Sequence, residues 1–164
     1  MKIIFLDIDG VLCTSRSHLA KHGKGIMDEW DDVGALAIYR ACKFGENVKI
    51  VVSSTWRKFC LNPYDNSDIL GVRLAQFNLT QFLHTDWRTK ELDTIRGKEI
   101  AKWMEDHPEA TDYIILDDDS DFLPYQYKKL IRTDFENGML YSDIKKLVMW
   151  TGAHNVQEAN LQQS

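Results

Sequence analysis

Hydrophobic residues fall into short continuous runs that alternate with stretches of helical periodicity. The runs occupy residues 2–8, 48–53 and 112–117, and a weaker run occupies residues 128–133. Runs of this length that are rich in β-branched residues are typical of strands buried on both faces of a parallel sheet. We therefore predict four strands here, and a further short strand around Gln81–His84.

Four segments between and after these runs place apolar residues at helical spacing. The predicted helices span residues 33–45, 67–77, 98–106 and 142–150. Gly45 is the expected C-cap of the first helix, and Ser142 the expected N-cap of the last. Alternation of strands with helices predicts an α/β, Rossmann-like fold with a mostly parallel sheet flanked by helices.

The length of 164 residues predicts a single domain. We place it at residues 1–152, with a loose C-terminal tail at 153–164. Three scattered cysteines without a C-x-x-C pair favour a reducing compartment. No apolar window is long enough for a membrane span, and Asp7 interrupts the N-terminal run too early for a signal peptide. We expect a cytoplasmic protein without a membrane partner, and its oligomeric state stays open.

Polar clusters follow three of the predicted strands. Asp7-Ile8-Asp9 ends the first run, Ser53-Ser54-Thr55 the second, and Asp117-Asp118-Asp119 the third. Ligands of parallel α/β sheets bind beyond the carboxyl ends of the strands. The three clusters therefore predict one shared site.

The first cluster places two carboxylates at alternate positions of an extended segment. Asp7 and Asp9 then point the same way and repel each other, unless a cation lies between them or one is protonated. Gly10 permits the chain to turn sharply after them. An Asp-x-Asp-Gly turn also occurs in calcium loops, but the other ligands of such a loop are missing here.

The second cluster is the acidic run after the third strand. It consists of Asp117, Asp118, Asp119 and Asp121. Oxygen ligands without His or Cys favour Mg²⁺ over zinc, and protein-bound Mg²⁺ usually also binds a substrate phosphate. The site is thus predicted to carry out phosphate chemistry.

The motifs FLDIDGVL, VVSS, a Lys at a helix start and YIILDDDSD occur in the order of the four motifs of the haloacid-dehalogenase (HAD) superfamily of phosphotransferases. The resemblance extends from residue 2 to about residue 150. VVSSTWR, RGKEIAKWMEDHPE, YIILDDDSD and TDFENGML more closely resemble the small phosphatase domain of multi-domain RNA-repair proteins. The chain is also similar, more distantly, to the phosphatase part of polynucleotide kinase-phosphatases.

The resemblance implies catalytic roles for four residues. Asp7 would be the nucleophile that forms an aspartyl-phosphate. Asp9 would protonate the leaving oxygen and then activate water, and its carbonyl would ligate Mg²⁺. Ser53 would hydrogen-bond the transferring phosphoryl group. Lys98 would neutralise charge on Asp7 and the phosphate, and we prefer it to the alternative, Arg96.

The resemblance also implies the remaining ligands. Asp118 would bind Mg²⁺ directly together with Asp7, and Asp117 would lie beside it as a direct or outer ligand. Asp117 and Asp121 are alternatives to Asp118 for the direct position. Asp119 is expected not to bind the metal. The predicted substrate-binding residues are Gly10, Ser54, Arg57 and Arg96.

Short insertions predict the absence of a full cap domain, and hence an open site that accepts a large substrate. Residues 10–27 contain Arg16, His18, Lys21, His22 and Lys24 and no carboxylate. They form either a basic flap for a phosphate-rich strand or an ordinary solvated loop. Trp56 is expected either to stack on a base or to pack in the core.

The charge balance initially argues against a polyanionic substrate, because 25 acidic residues outnumber 20 basic ones. Six of the acids lie in the two Asp clusters, and without them 19 acids face 20 bases. We therefore predict a Mg²⁺-dependent phosphatase acting on nucleic-acid terminal phosphates in end repair. A phosphatase of free mononucleotides is the main alternative, and a phosphoprotein phosphatase or a non-catalytic binding module are weaker ones.

Overall fold

A computed structural model describes residues 1–21, 29–65 and 67–153. Within them, one sheet has the strand order β3-β2-β1-β4-β5, and every neighbouring pair is parallel. The strands are β1 (Lys2–Leu6), β2 (Val48–Val52), β3 (Leu83–Arg88), β4 (Asp112–Asp117) and β5 (Leu130–Arg132). The predicted α/β, Rossmann-like fold is confirmed.

Helices connect the strands. They are α1 (Ser15–Lys21), α2 (Asp32–Phe44), α3 (Ile69–Gln76), α4 (Arg96–Asp106) and α5 (Tyr141–Thr151). Short 3-10 turns occupy Thr55–Lys58, Thr80–Phe82 and Pro124–Lys129.

Alternate residues of the strands face two separate cores, as the pleat requires. Ile3 and Phe5 of β1 pack with Ile100 and Trp103 of α4 on one face. Ile4 and Leu6 belong to the larger core on the other face, which α2, α3 and α5 cover. Because β1 is buried on both faces, its sequence is apolar throughout, and this explains why the run predicted it well.

The predicted element boundaries shift at several points. The strand expected around Gln81–His84 begins at Leu83, after a 3-10 turn. The strand expected at 128–133 is only Leu130–Arg132, because the 3-10 turn that begins at Pro124 continues to Lys129. The helix expected at 98–106 begins two residues earlier, at Arg96, and α1 was not predicted.

The two predicted caps have different outcomes. Gly45 is the C-cap of α2, as expected, although its backbone is extended. Glycine is needed because a Cβ there would lie 2.3 Å from the Ala41 carbonyl oxygen. The Ser142 prediction is wrong: α5 begins at Tyr141, and the Asp143 carboxylate accepts a hydrogen bond from the N–H of the N-cap residue, Leu140.

The described residues contain no separate cap domain, since the segments between β1 and α2 and between β2 and α4 hold only α1, α3, β3 and short turns. At the C-terminal end, Ala153 is still fully buried. The rest of the predicted tail, residues 154–164, lies outside the described residues. No helix within the described ranges is long and apolar enough to cross a membrane.

The strand order places a topological switch point between β1 and β4. The chain moves outward from β1 through β2 to β3, and then crosses to β4 on the other side. Ligands of such sheets bind in the crevice at the carboxyl ends of the two strands that flank the switch point. Asp7 and Asp117 lie at these two ends.

Candidate active site

The turn after β1 brings Asp7 and Gly10 against the end of β4. The Asp7 N–H donates to the Leu116 carbonyl at 3.0 Å, which continues the β1–β4 pairing by one residue. Gly10 has φ +69°, a conformation that favours glycine. A Cβ at Gly10 would lie 2.4 Å from Cγ of Asp118. Gly10 therefore permits both the sharp turn and its close approach to the second acidic cluster.

Three carboxylates converge at this point. One oxygen each from Asp7, Asp117 and Asp118 lies within 4.8 Å of the others. Asp7 and Asp117 are buried and Asp118 is half-buried. Burial and, next, the charge of Asp7 raise the pKa of both Asp117 and Asp118. The cluster therefore holds negative charge that is poorly solvated and that a cation would stabilise.

Arg96 supplies one such cation. Its Nη1 lies 2.8 Å from Oδ2 of Asp7 and also donates to the Asp117 carboxylate. Asp121 fixes the start of α4, since its carboxylate accepts the Arg96 N–H at 3.0 Å and its carbonyl accepts the Gly97 N–H at 3.1 Å. The guanidinium is thus held between the carboxylates at the two strand ends.

The preference for Lys98 over Arg96 is not supported by this geometry. The Lys98 side chain is exposed, whereas Arg96 makes the contact with Asp7 that we expected of Lys98. The two residues lie two positions apart on α4, a rotation of about 200° around the helix axis. The helix starts early enough to place Arg96 on the side of the carboxylates, and so Lys98 points away from them.

The cluster offers the oxygen donors that a hard divalent cation prefers. Both oxygens of Asp117 already accept hydrogen bonds, from the Asp119 N–H and from Arg96. Asp7 and Asp118 therefore have more free oxygen lone pairs to offer a cation, and the prediction that Asp118 binds Mg²⁺ directly stays a prediction. One oxygen of Asp121 accepts the Arg96 N–H and the other is buried without a partner among the described residues, but Asp121 does not belong to the converging cluster. Asp119 is exposed, and its role as a bystander stays a prediction.

Asp9 lies apart from this carboxylate cluster. Its Oδ2 accepts a hydrogen bond from Nε1 of Trp56 at 3.0 Å. Burial raises the pKa of Asp9; the charge of Asp7 raises it further, and the Trp56 hydrogen bond opposes the shift. A carboxyl group with a raised pKa is suited to general acid chemistry. The Asp9 carbonyl, expected as a metal ligand, remains a prediction.

The serines after β2 differ in their contacts. Ser53 is fully buried, and its Oγ has no hydrogen-bond partner among the described residues. Such unsatisfied hydroxyls are uncommon in native proteins and often mark a site that takes a ligand. Ser54 instead caps the following 3-10 turn, where its Oγ accepts the Trp56 N–H. The Ser53 hydroxyl is therefore free to bind a phosphoryl group, which stays a prediction. The Ser54 hydroxyl is already engaged in the turn.

The structure does not favour the predicted substrate contact of Arg57, because its guanidinium is buried and already occupied. It donates to the carbonyls of Ser53, Ser54 and Thr89, and pairs with Glu99 at 2.6 Å. Glu99 comes from α4, so the pair ties the β2 turn to the helix that carries Arg96. Arg57 therefore holds the turn after β2 against α4, and does not face the carboxylate cluster as a free cation.

The predicted basic flap is described as far as Lys21; His22 and Lys24 lie outside the described residues. Arg16 pairs with Asp31 at 3.1 Å, and Lys21 pairs with Asp32 at 2.7 Å. These ion pairs reduce the charge available to a phosphate chain. The described part of the flap is thus less basic than the sequence predicted.

The sequence reasoning missed the hydrogen bond of Trp56 to Asp9 and the role of Gln126. Trp56 packs edge-on against Trp30 while it holds Asp9, so it is both a core and a site residue. Gln126 is fully buried and donates to the Gly97 carbonyl, which helps to fix the start of α4. The position of Trp56 directly after a polar strand end was a usable signal, whereas nothing in the sequence around Gln126 indicated its contact.

Comparison with known proteins agrees with this arrangement. Searches of curated proteins and of solved structures found no match. The family model described as the HAD domain in Swiss Army Knife RNA repair proteins matches residues 3–144. That range includes the turn after β1, the Ser53 strand end, Arg96 and the acidic run after β4. The chain therefore belongs to the family of HAD domains found in Swiss Army Knife RNA repair proteins.

Proposed function

We propose that this chain is a Mg²⁺-dependent phosphomonoester hydrolase that forms an aspartyl-phosphate on Asp7. The observation that carries the proposal is the different environment of the two aspartates after β1. Asp7 faces Arg96 and two further carboxylates. Asp9 is held apart by Trp56 and has a raised pKa. A nucleophile needs to be ionised, and a general acid needs its proton.

The proposed first step transfers the phosphoryl group to the protein. An Asp7 carboxylate oxygen attacks phosphorus, and the bond from phosphorus to the leaving oxygen breaks. The electron pair of that bond stays on the leaving oxygen, which takes the proton of Asp9. Arg96 offsets negative charge around Asp7, and the Ser53 hydroxyl donates to a phosphoryl oxygen.

The second step returns the protein to its starting state. Asp9, now ionised, takes a proton from water, and the water oxygen attacks phosphorus. The bond between phosphorus and Asp7 breaks, inorganic phosphate leaves, and Asp9 is again protonated. Mg²⁺ bound by Asp7, Asp118 and the Asp9 carbonyl would supply positive charge that offsets the repulsion between carboxylate and phosphate.

We propose a terminal phosphate of a nucleic acid as the substrate. The family model names RNA repair proteins, and the described residues form no cap domain over the site. A chain end therefore has space to enter. The free-mononucleotide alternative uses the same catalytic residues.

A cavity of about 490 Å³ lies at the carboxyl end of β3, and Arg57 joins it to Ser53. Its walls carry four basic and two acidic side chains: Arg57, Lys58, Arg88 and Lys90 against Asp86 and Glu91. Lys58 pairs with Glu91 at 2.6 Å and Lys90 with Asp106 at 3.3 Å, and the Arg57 guanidinium is buried and occupied. These contacts reduce the charge that the cavity offers to a phosphate chain, so the substrate proposal does not depend on it.

The test compares phosphate release from 3′- and 5′-phosphorylated oligonucleotides with release from the matching free mononucleotides, with Mg²⁺ and with a chelator. We expect a higher kcat/KM for one of the oligonucleotides, and no turnover when the metal is removed. Equal or better turnover of free mononucleotides would contradict the polynucleotide assignment. Full activity in the chelator would contradict the role of the metal.

A further inference from the structure

A second cavity, of about 300 Å³, has Asp9 in its wall, whereas Asp7, Asp117 and Asp118 are not among its lining residues. It lies between the turn after β1, helix α1 and the loop that carries Phe135. Asp9, Cys13, Thr14, His18, Leu19 and Phe135 are among its lining residues. We call it the Phe135 pocket.

The Phe135 pocket is mostly apolar. Leu19 and Phe135 are large apolar side chains that are 74% and 56% exposed. Asp9 is the one acidic group among its described lining residues, and no Lys or Arg lines it there. A pocket of this composition suits an uncharged group with an apolar face, and does not suit another phosphate.

The wall that carries Phe135 is held by its own backbone contacts. The Asp134 carboxylate accepts the N–H groups of Glu136 and Asn137, and the Gly138 N–H donates to the Asp134 carbonyl. The Arg16 N–H, at the start of α1, donates to the Glu136 carbonyl at 2.9 Å. These contacts join the Phe135 loop to α1, so the two walls of the pocket are fixed relative to each other.

Asp9 links the pocket to the proposed reaction, because it lines the pocket and is the proposed general acid. The inference therefore rests on the proposed function. A general acid must lie within hydrogen-bond reach of the leaving oxygen. In an in-line displacement the leaving oxygen lies across phosphorus from Asp7, so the group attached to it lies close to Asp9. The Phe135 pocket is a cavity with Asp9 in its wall, and it can therefore receive this group.

We propose that the Phe135 pocket binds the nucleobase of the terminal nucleotide, whose sugar oxygen is the leaving group. The phenyl ring of Phe135 offers a stacking surface, and Leu19 and His18 enclose the base on the side of α1. The volume is at the lower end for small-molecule sites, which suits one nucleoside and not several. Stacking on an aromatic side chain accepts any of the bases. The pocket therefore selects a nucleotide end without selecting its sequence.

The test varies the base and the pocket together. Two oligonucleotides carry the same terminal phosphate, one on an ordinary nucleotide and the other on an abasic sugar. We expect the unaltered protein to favour the ordinary end by about tenfold in kcat/KM. Phe135→Ala and Leu19→Ala should remove most of this preference, and should leave kcat/KM for the abasic end unchanged.

Phe44→Ala is the matched control. Phe44 is also an exposed Phe, but it lies at the end of α2 that leads into the amino end of β2, away from the site. This variant should keep the full preference for the ordinary end. All three altered side chains are exposed, and a thermal melt checks that the variants remain folded.

Three outcomes overturn the inference while the proposed function stands. These are equal turnover of the two ends by the unaltered protein, an equal loss on both ends in Phe135→Ala, and preferred turnover of a phosphotyrosyl peptide that Phe135→Ala abolishes. The last would assign the pocket to a tyrosine side chain. If no substrate is hydrolysed, the proposed function fails by itself. Binding of the two oligonucleotides to Asp7→Asn then tests the pocket, and equal dissociation constants would reject it.

Discussion

Strand β4 begins and ends with an aspartate, and the two have opposite electrostatic surroundings. At the amino end, Asp112 accepts hydrogen bonds from Lys129 and from the Trp150 indole. These bonds outweigh burial and lower its pKa. At the carboxyl end, Asp117 is fully buried beside Asp7, and its pKa is raised even though Arg96 contacts it.

The two aspartates therefore differ in their expected contribution: Asp112 contributes to the stability of the fold, and Asp117 belongs to the proposed site. Asp112 stabilises the fold because its charge is satisfied within the protein. Asp117 belongs to a cluster of three carboxylates that has a single arginine contact, so a further cation would stabilise the cluster. Under-satisfied polar groups at one edge of the sheet thus mark the proposed site.

Asp7→Asn tests the functional end most severely. The amide cannot form the aspartyl-phosphate, so we expect kcat to fall by about 10³-fold or more. The matched control is Asp119→Asn, which removes an exposed carboxylate of the same acidic region and should stay close to the unaltered activity. Full phosphatase activity in Asp7→Asn would show that the acidic centre is not the catalyst.

Arg96→Ala tests which residue neutralises Asp7. Loss of the guanidinium leaves Asp7 and Asp117 without their shared partner, and we expect kcat/KM to fall by about 10²- to 10³-fold. Lys98→Ala, two positions along the same helix, should change it by less than about twofold, because exposed side chains away from a site usually contribute little. The reverse pattern would restore the preference for Lys98.

Trp56→Phe tests whether the indole N–H positions Asp9. Loss of this hydrogen bond should lower kcat by about tenfold for an alkyl phosphate, whose leaving oxygen needs a proton. For p-nitrophenyl phosphate, whose leaving group is stable as an anion, the change should be much smaller. A purely structural effect of Trp56→Phe would lower both rates equally.

Trp30→Phe is the matched control for this change. Trp30 packs edge-on against Trp56, and its indole nitrogen has no hydrogen-bond partner among the described residues. The variant removes the same atoms from the same aromatic cluster without removing a hydrogen bond to Asp9. It should keep the ratio of the two rates.

Asp112→Asn tests the aspartate at the amino end of β4, which we expect to contribute to stability only. Of the predicted changes, its effect should be the smallest. The Asp112 side chain is about one-third exposed, so its ion pair with Lys129 is screened and we expect a loss below about 1 kcal/mol in the free energy of unfolding. Because folding lowers the pKa of Asp112, this contribution is complete above the unfolded value of about 4 and is lost as the pH falls through the folded value. Urea unfolding at pH 7 and pH 3 measures it, and a difference that grows at pH 3 would contradict this account.

The sequence predicted the elements whose burial is uniform. β1, β2 and β4 are nearly continuous apolar runs because both of their faces are covered. β3 reads Leu-His-Thr-Asp-Trp-Arg and lies at the edge of the sheet. Because its polar residues interrupt the apolar pattern, the predicted strand overlapped only its first two residues. Helix α1 has only seven residues and only Ser17 buried, which leaves no apolar pattern to detect.

The site was predictable where it follows a strand, and not where it depends on a helix boundary. Asp7, Ser53 and Asp117 follow directly from the rule for strand ends. Choosing between Arg96 and Lys98 required the start of α4 to within two residues, which is the usual uncertainty of a helix end. The structural role of Arg57 depends on Glu99, 42 positions away, so neighbouring residues gave no signal of it.

The most direct test of the account is chemical trapping of the phosphorylated protein. The Asp9→Asn variant, given Mg²⁺ and p-nitrophenyl phosphate, should release one equivalent of p-nitrophenolate and then stop, because no base activates water. Borohydride added at that point reduces an aspartyl-phosphate to homoserine, and mass spectrometry locates it. The account predicts homoserine at position 7. Absence of the modification after one turnover, or its presence at Asp118 instead, would contradict the account.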